Sequence, residues 1–159
     1  MVENVTINAR IITLKLRDYL PYRLNFLAEM TSEHTRPIYR RKHGLTRTEW
    51  RVLVNLAEAE SLTATELCAL VPAHKTKVSR ALAVLEGRGW VRRQTDACDH
   101  RRAHARLSPA GRRAVGAIFP QMQAATEALL APLSAEERER LDRGLQVLER
   151  LFAQQPDAK

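Results

Sequence analysis

His74-Lys-Thr-Lys-Val-Ser-Arg-Ala-Leu-Ala-Val-Leu-Glu-Gly-Arg-Gly-Trp-Val-Arg-Arg93 is the stretch on which the fold turns. Val78, Ala81, Leu82 and Leu85 recur at the spacing of one helix face, which predicts an amphipathic helix from Ala73 or His74 to Glu86. Gly87 and Gly89 supply its stop. The period then changes from helical to alternating. Trp90–Thr95 reads as a strand, and Arg102–Leu107 as a second. The second strand has Arg102, His104 and Arg106 on one face and Ala103, Ala105 and Leu107 on the other. Asp96–Arg101 between them is polar, as the tip of a hairpin must be.

Upstream, Thr63-Ala64-Thr65-Glu66 is a capping box that opens a short helix with face Ala64, Leu67, Cys68 and Val71, and Pro72 ends it. Two short helices joined by a tight turn and followed by a hairpin make a winged helix-turn-helix. A further box, Thr46-Arg47-Thr48-Glu49, precedes a helix carrying Trp50, Leu53, Val54 and Ala57. The first helix is expected near Tyr19-Leu20-Pro21 and is ended by Arg40-Arg41-Lys42-His43-Gly44. After the wing, Ser108-Pro109 caps a long helix, with a kink expected at Pro120 and the end at Pro132. Ser134-Ala135-Glu136-Glu137 opens the last helix, whose stripe is Leu141, Leu145, Leu148, Leu151 and Phe152.

The expected architecture is thus mainly α with a small β-hairpin wing. It divides into an arm (1–18), a winged lobe (45–108) and long N- and C-terminal dimerisation helices (19–44 and 109–154), all in one interwoven domain. The terminal helices carry more apolar stripe than a small core can cover, and a second copy of the chain is the economical partner.

Charge points the same way. The 159 residues hold 26 Lys and Arg against 18 Asp and Glu, a net +8. Nine basic residues face three acids between His74 and Arg106, a block suited to double-stranded DNA. With Val78 inward, Thr76, Arg80 and Ala83 lie on the opposite face of the helix, flanked by Lys77 and Ser79. Cations of that reach meet phosphates or guanine edges, and hydroxyls read either. His74 and Lys75 stand at the helix start, within reach of the backbone or the first base edge. A plain solvated face is the alternative reading.

The run His74–Arg93, with Asp99-His100-Arg101-Arg102 and then Leu107-Ser108-Pro109-Ala110-Gly111, resembles the recognition helix and wing of MarR-type regulators. The likeness covers about 20–152. It implies a homodimer on a pseudo-palindromic operator, with Arg101 in the minor groove, Asp99 positioning the wing and Arg102 beside them. It also implies a repressor released by a small aromatic carboxylate, in a pocket drawing on Tyr22, Arg23 and Phe26 of the first helix and on Trp50 and Arg51 of the second. Arginine suits a carboxylate and tryptophan an aromatic ring, although Trp50 also fits a core position.

Other readings are weaker. Cys98, near His100 and several arginines, is a candidate redox switch, whereas Cys68 lies on an apolar face and reads as packed. Cys98, Asp99, His100 and His104 match no structural zinc spacing, so no metal and no cofactor are expected. No phosphate loop, nucleophile elbow or HExxH is present, so an enzyme is not expected. No apolar run is long enough for a membrane span, and the N-terminal residues carry no secretion signal, so a cytoplasmic protein is expected. An architectural DNA protein without a ligand is the competing function.

Overall fold

A computed structural model describes residues 15–95 and 103–153. A 3₁₀ turn at Leu16–Asp18 precedes α1 (Leu20–His43), followed by α2 (Arg47–Glu58), β1 (Leu62–Thr63), α3 (Ala64–Leu70) and α4 (Lys75–Gly87). Then come β2 (Val91–Thr95), β3 (Ala103–Leu107), α5 (Pro109–Leu130) and α6 (Ala135–Ala153). Two compact units divide inside α1, between His34 and Thr35.

The first unit holds the 3₁₀ turn and the N-terminal part of α1. Leu20, Tyr22, Phe26, Leu27 and Met30 are exposed on it, and the rings of Tyr22 and Phe26 stack at 6.3 Å.

The second unit contains the core. Leu45, Val52, Leu53, Leu56, Leu67, Val78, Leu82, Leu85, Val91 and Ile118 are buried together. The helix starts are set by short-range hydrogen bonds. In both Thr46-Glu49 and Thr63-Glu66 the threonine hydroxyl accepts the amide of the glutamate, and the carboxylate accepts the threonine amide. α1 ends where expected: the Gly44 amide donates to the Arg40 carbonyl, and Gly44 takes φ +61°, a conformation that costs glycine least. Lys42 then reaches Gln121 of α5, Nζ donating at 2.8 Å.

One difference from the sequence expectation stands out. The wing is a three-stranded antiparallel sheet in the order β1-β3-β2, because Leu62 and Thr63 pair with Ala105 and His104. Two residues are too few to show a period of two, and Thr63 is already read as a cap. As expected, α5 ends close to Pro132, at Leu130, and it continues as one helix through Pro120.

A candidate nucleic-acid interface on the recognition helix

α4 has one buried side and one open side. Val78, Ala81, Leu82 and Leu85 are at most 4% exposed. Lys75, Thr76, Lys77, Ser79, Arg80 and Ala83 are all exposed. The helix begins at His74, whose Nδ1 accepts the Thr76 amide at 3.3 Å and lies 3.2 Å from the Thr76 hydroxyl. With Nδ1 accepting, Nε2 is the donor of the neutral ring. His74 therefore shapes the helix start as well as standing at it.

The basic block sorts into two kinds of residue. Arg93 of β2 is engaged within the fold: its Nε donates to Glu86 Oε2 at 2.8 Å, and Nη2 lies 2.6 Å from the same oxygen. Arg88 is engaged too, donating to the His43 and Gly44 carbonyls at 2.9 and 3.0 Å. Lys75, Lys77 and Arg80 have no ion-pair partner among the described residues. Total charge could not make this distinction, since it counts Arg88 and Arg93 alike with Arg80. Their partners are contributed by Glu86 and by the end of α1, which only the fold brings near.

The wing stands beside α4. β2 and β3 pair in register from Val91↔Leu107 to Thr95↔Ala103. Val91, Ala105 and Leu107 are buried, while Arg92 and Arg106 are opposite each other and exposed. His104 Nδ1 lies 3.3 Å from the Ser61 hydroxyl, joining the wing to the segment before α3. Asp99, Arg101, Arg102, Cys98 and His100 lie outside the described residues. Cys68 is half-buried and packs against the core, as its apolar face suggested.

Of the residues expected around a ligand, Tyr22, Arg23 and Phe26 belong to the first unit and Trp50 and Arg51 to the second. Tyr22, Arg23 and Phe26 line a hollow of about 540 Å³ with Leu16, Arg17 and Leu27. Arg17 was not anticipated, because it precedes the helical pattern. Trp50 is 7% exposed and stacks on Tyr39 with centroids 6.3 Å apart. It is a core ring with little face to offer. Arg51 is half-buried on the same helix. No helix of the described residues is long and apolar enough to cross a membrane.

An exposed helix with cations on its open side, preceded by a short helix and braced by an antiparallel wing, defines a winged helix-turn-helix DNA-binding protein. Comparison with known proteins narrows the class. A family model described as MarR family matches residues 43–102. The transcriptional regulator HosA of Escherichia coli is 30% identical over 113 residues, covering 71% of this chain and 84% of the relative. A MarR-family regulator from Silicibacter pomeroyi superposes with a TM-score of 0.73 at 26% identity, over 91% of this chain and 94% of that one. Sco3205, a MarR-family regulator from Streptomyces coelicolor solved in complex with DNA, gives 0.72 at 26% identity, over 86% and 88%. The chain belongs to the MarR family of transcriptional regulators.

Proposed function

We propose that the protein is a homodimeric repressor that reads a pseudo-palindromic operator and releases it when a small aromatic carboxylate binds. The observation that carries this reading is the open face of α4. Lys75, Lys77 and Arg80 stand there without ion-pair partners among the described residues, on a helix held rigid by four buried apolar side chains. His74, Thr76 and Ser79 add short polar groups beside them. In this reading Asp99, Arg101 and Arg102 complete the contact at the wing tip, with Arg101 in a narrow A·T-rich minor groove.

Each half of the dimer meets one half-site, so operator symmetry follows from protein symmetry. Selection from a random-sequence duplex library, followed by footprinting, tests this directly. One enriched sequence with a dyad is the expected result. Broad coverage without a dyad would make the protein an architectural one.

For the effector, the hollow on the first unit joins two aromatic rings to Arg17 and Arg23. A guanidinium holds a carboxylate through two parallel hydrogen bonds, and the rings suit a planar body. A thermal-shift screen of aromatic acids should find a ligand that raises the melting temperature. Arg23→Ala should then abolish the shift and the release of DNA while leaving operator affinity in place. A shift that survives the substitution places the ligand elsewhere.

A further inference from the structure

The C-terminal end of α4 meets the end of α1 and the start of α5 at one junction. Arg88 lies just past α4, and its guanidinium spans the gap to α1. Nη1 donates to the His43 carbonyl at 2.9 Å and Nη2 to the Gly44 carbonyl at 3.0 Å. His43 is the last residue of α1, where helix carbonyls lack intrahelical donors and the helix dipole is negative. The same guanidinium lies 5.5 Å from the centroid of the Trp90 ring, a cation over an aromatic face. Trp90 carries the connection onward. Its carbonyl accepts the Ser108 amide at 2.9 Å, and the Ser108 hydroxyl donates to the Gly89 carbonyl at 2.6 Å. Ser108 is the N-cap of α5.

We propose that Arg88 is a positioning residue for DNA binding. It clamps the recognition helix to the end of α1 and does not itself meet DNA. The proposal rests on the reading of α4 as the DNA-facing helix. Lys75 to Arg80 lie in the half of that helix away from the clamp, with Lys75 at its far end. Thirteen residues of helix are a lever of roughly 20 Å, so a tilt of about 5° at Arg88 moves the far end by roughly 1.7 Å. Hydrogen bonds to base edges do not survive a displacement of that size, whereas contacts of long flexible cations with phosphates do. Loss of the clamp therefore removes sequence discrimination before it removes attraction to DNA.

The guanidinium shape matters as well as the charge. A planar fork reaches two successive carbonyls at once, while the ammonium of lysine is a single point donor on a flexible stem. Because Arg88 is exposed, its removal leaves the buried core intact.

The test compares wild type, Arg88→Ala and Arg88→Lys on two probes. One is the duplex that wild type enriches from a random-sequence library, and the other is poly(dI-dC). Binding is measured over a range of salt concentrations. Arg88→Ala should lower the ratio of specific to nonspecific affinity by about tenfold or more, the scale of one misread base pair. The dependence of log K on log salt should keep its slope on both probes. Arg88→Lys should fall between the two proteins. Amide exchange should quicken in Arg88→Ala at Gly44, Leu45, Gly89 and Trp90, whose amides bond within the junction. An unchanged ratio overturns the proposal. So does a uniform loss on both probes with a slope lower by about 0.9 per contact, which is the signature of a phosphate-binding arginine. If Arg88→Ala does not fold, the ratio and the slope are read from Arg88→Lys, whose ratio should still fall below that of wild type at unchanged slope. A wild type that enriches no sequence would overturn the DNA reading instead. The clamp would then stand or fall on the exchange rates alone.

Discussion

A methyl group on Gly111 would stand 2.1 Å from the Trp90 carbonyl oxygen, deep inside contact distance. The atom it meets is backbone, so no side chain can swing away. Gly111 also donates its amide to the Ser108 hydroxyl at 3.0 Å, which places the first turn of α5 directly against the root of the wing. Gly→Ala in a helix ordinarily gains about 1 kcal/mol. Overpacking of this kind costs about 1–3 kcal/mol or more, so the clash outweighs the gain. Gly111→Ala should lower the urea midpoint at unchanged m-value, whereas Gly116→Ala, in open space on the same helix, should raise it. The reverse order would mean that the close approach is not a constraint. Arg80 raises a different residue-scale question, because it has no ion-pair partner among the described residues. If it reads a base edge, Arg80→Ala costs about 1–3 kcal/mol at one operator position and little at the others. A loss spread evenly over all sequences would assign it to phosphate.

Four helix starts among the described residues rest on hydroxyl caps, and in one of them the capping glutamate is held below its ordinary value. At the start of α6 the Glu137 carboxylate accepts the Ser134 amide at 2.8 Å and the Ser134 hydroxyl at 2.9 Å. The backbone bond first, and the hydroxyl second, hold the Glu137 carboxyl below its ordinary value of 4.5. A carboxyl whose folded value is lowered stabilises the fold above its unfolded value and loses that effect as pH falls through the folded one. The first turn of α6 should therefore loosen on acidification below the ordinary carboxylate range. An NMR titration should show the Glu137 midpoint below that of free glutamate, and Glu137→Gln should flatten the pH dependence of amide exchange there. A midpoint at the ordinary value would mean the cap is not formed. These caps were legible in the sequence because each is a short local signal, a four-residue capping box in three of them and Ser108-Pro109 in the fourth. The faces of α2 and α4 were legible for a similar reason, since a helix repeats its pattern several times. β1 was not, being two residues long and defined only by its partner β3. Nor was the difference between Arg80 and Arg88, because the carbonyls that hold Arg88 are more than forty residues away in the chain. The same limit applies to Trp50: its pattern fits a core wall or a ligand wall, and only Tyr39 packed on it decides where the ring lies.

Across the whole molecule, the largest unmet need is apolar. α6 buries none of its residues, and Leu141, Leu145, Leu151 and Phe152 are each 44–54% exposed. On α5, Phe119 and Leu129 are exposed at 44% and 42%. A nineteen-residue helix gains little from propensity alone, so a stripe of this kind must be covered to hold the helix in place. In the dimer proposed above, a second copy would provide the cover without any further component. In a two-fold interface each residue of the stripe is used twice, and a single substitution acts on both sides. Leu145 sits in the middle of the stripe, with Leu141 and Leu148 one turn away on either side. Leu145→Glu places two carboxylates in a surface that excludes water, where an unpaired charge is costly. Sedimentation should find wild type as a dimer and Leu145→Glu as a monomer with reduced helical signal. Loss of the second half-site contact should weaken binding to the two-fold duplex by about a hundredfold, while binding to an isolated half-site changes little. Were wild type monomeric at micromolar concentration, or Leu145→Glu still dimeric, α6 would not be the interface. The exposed leucines would then need a different partner.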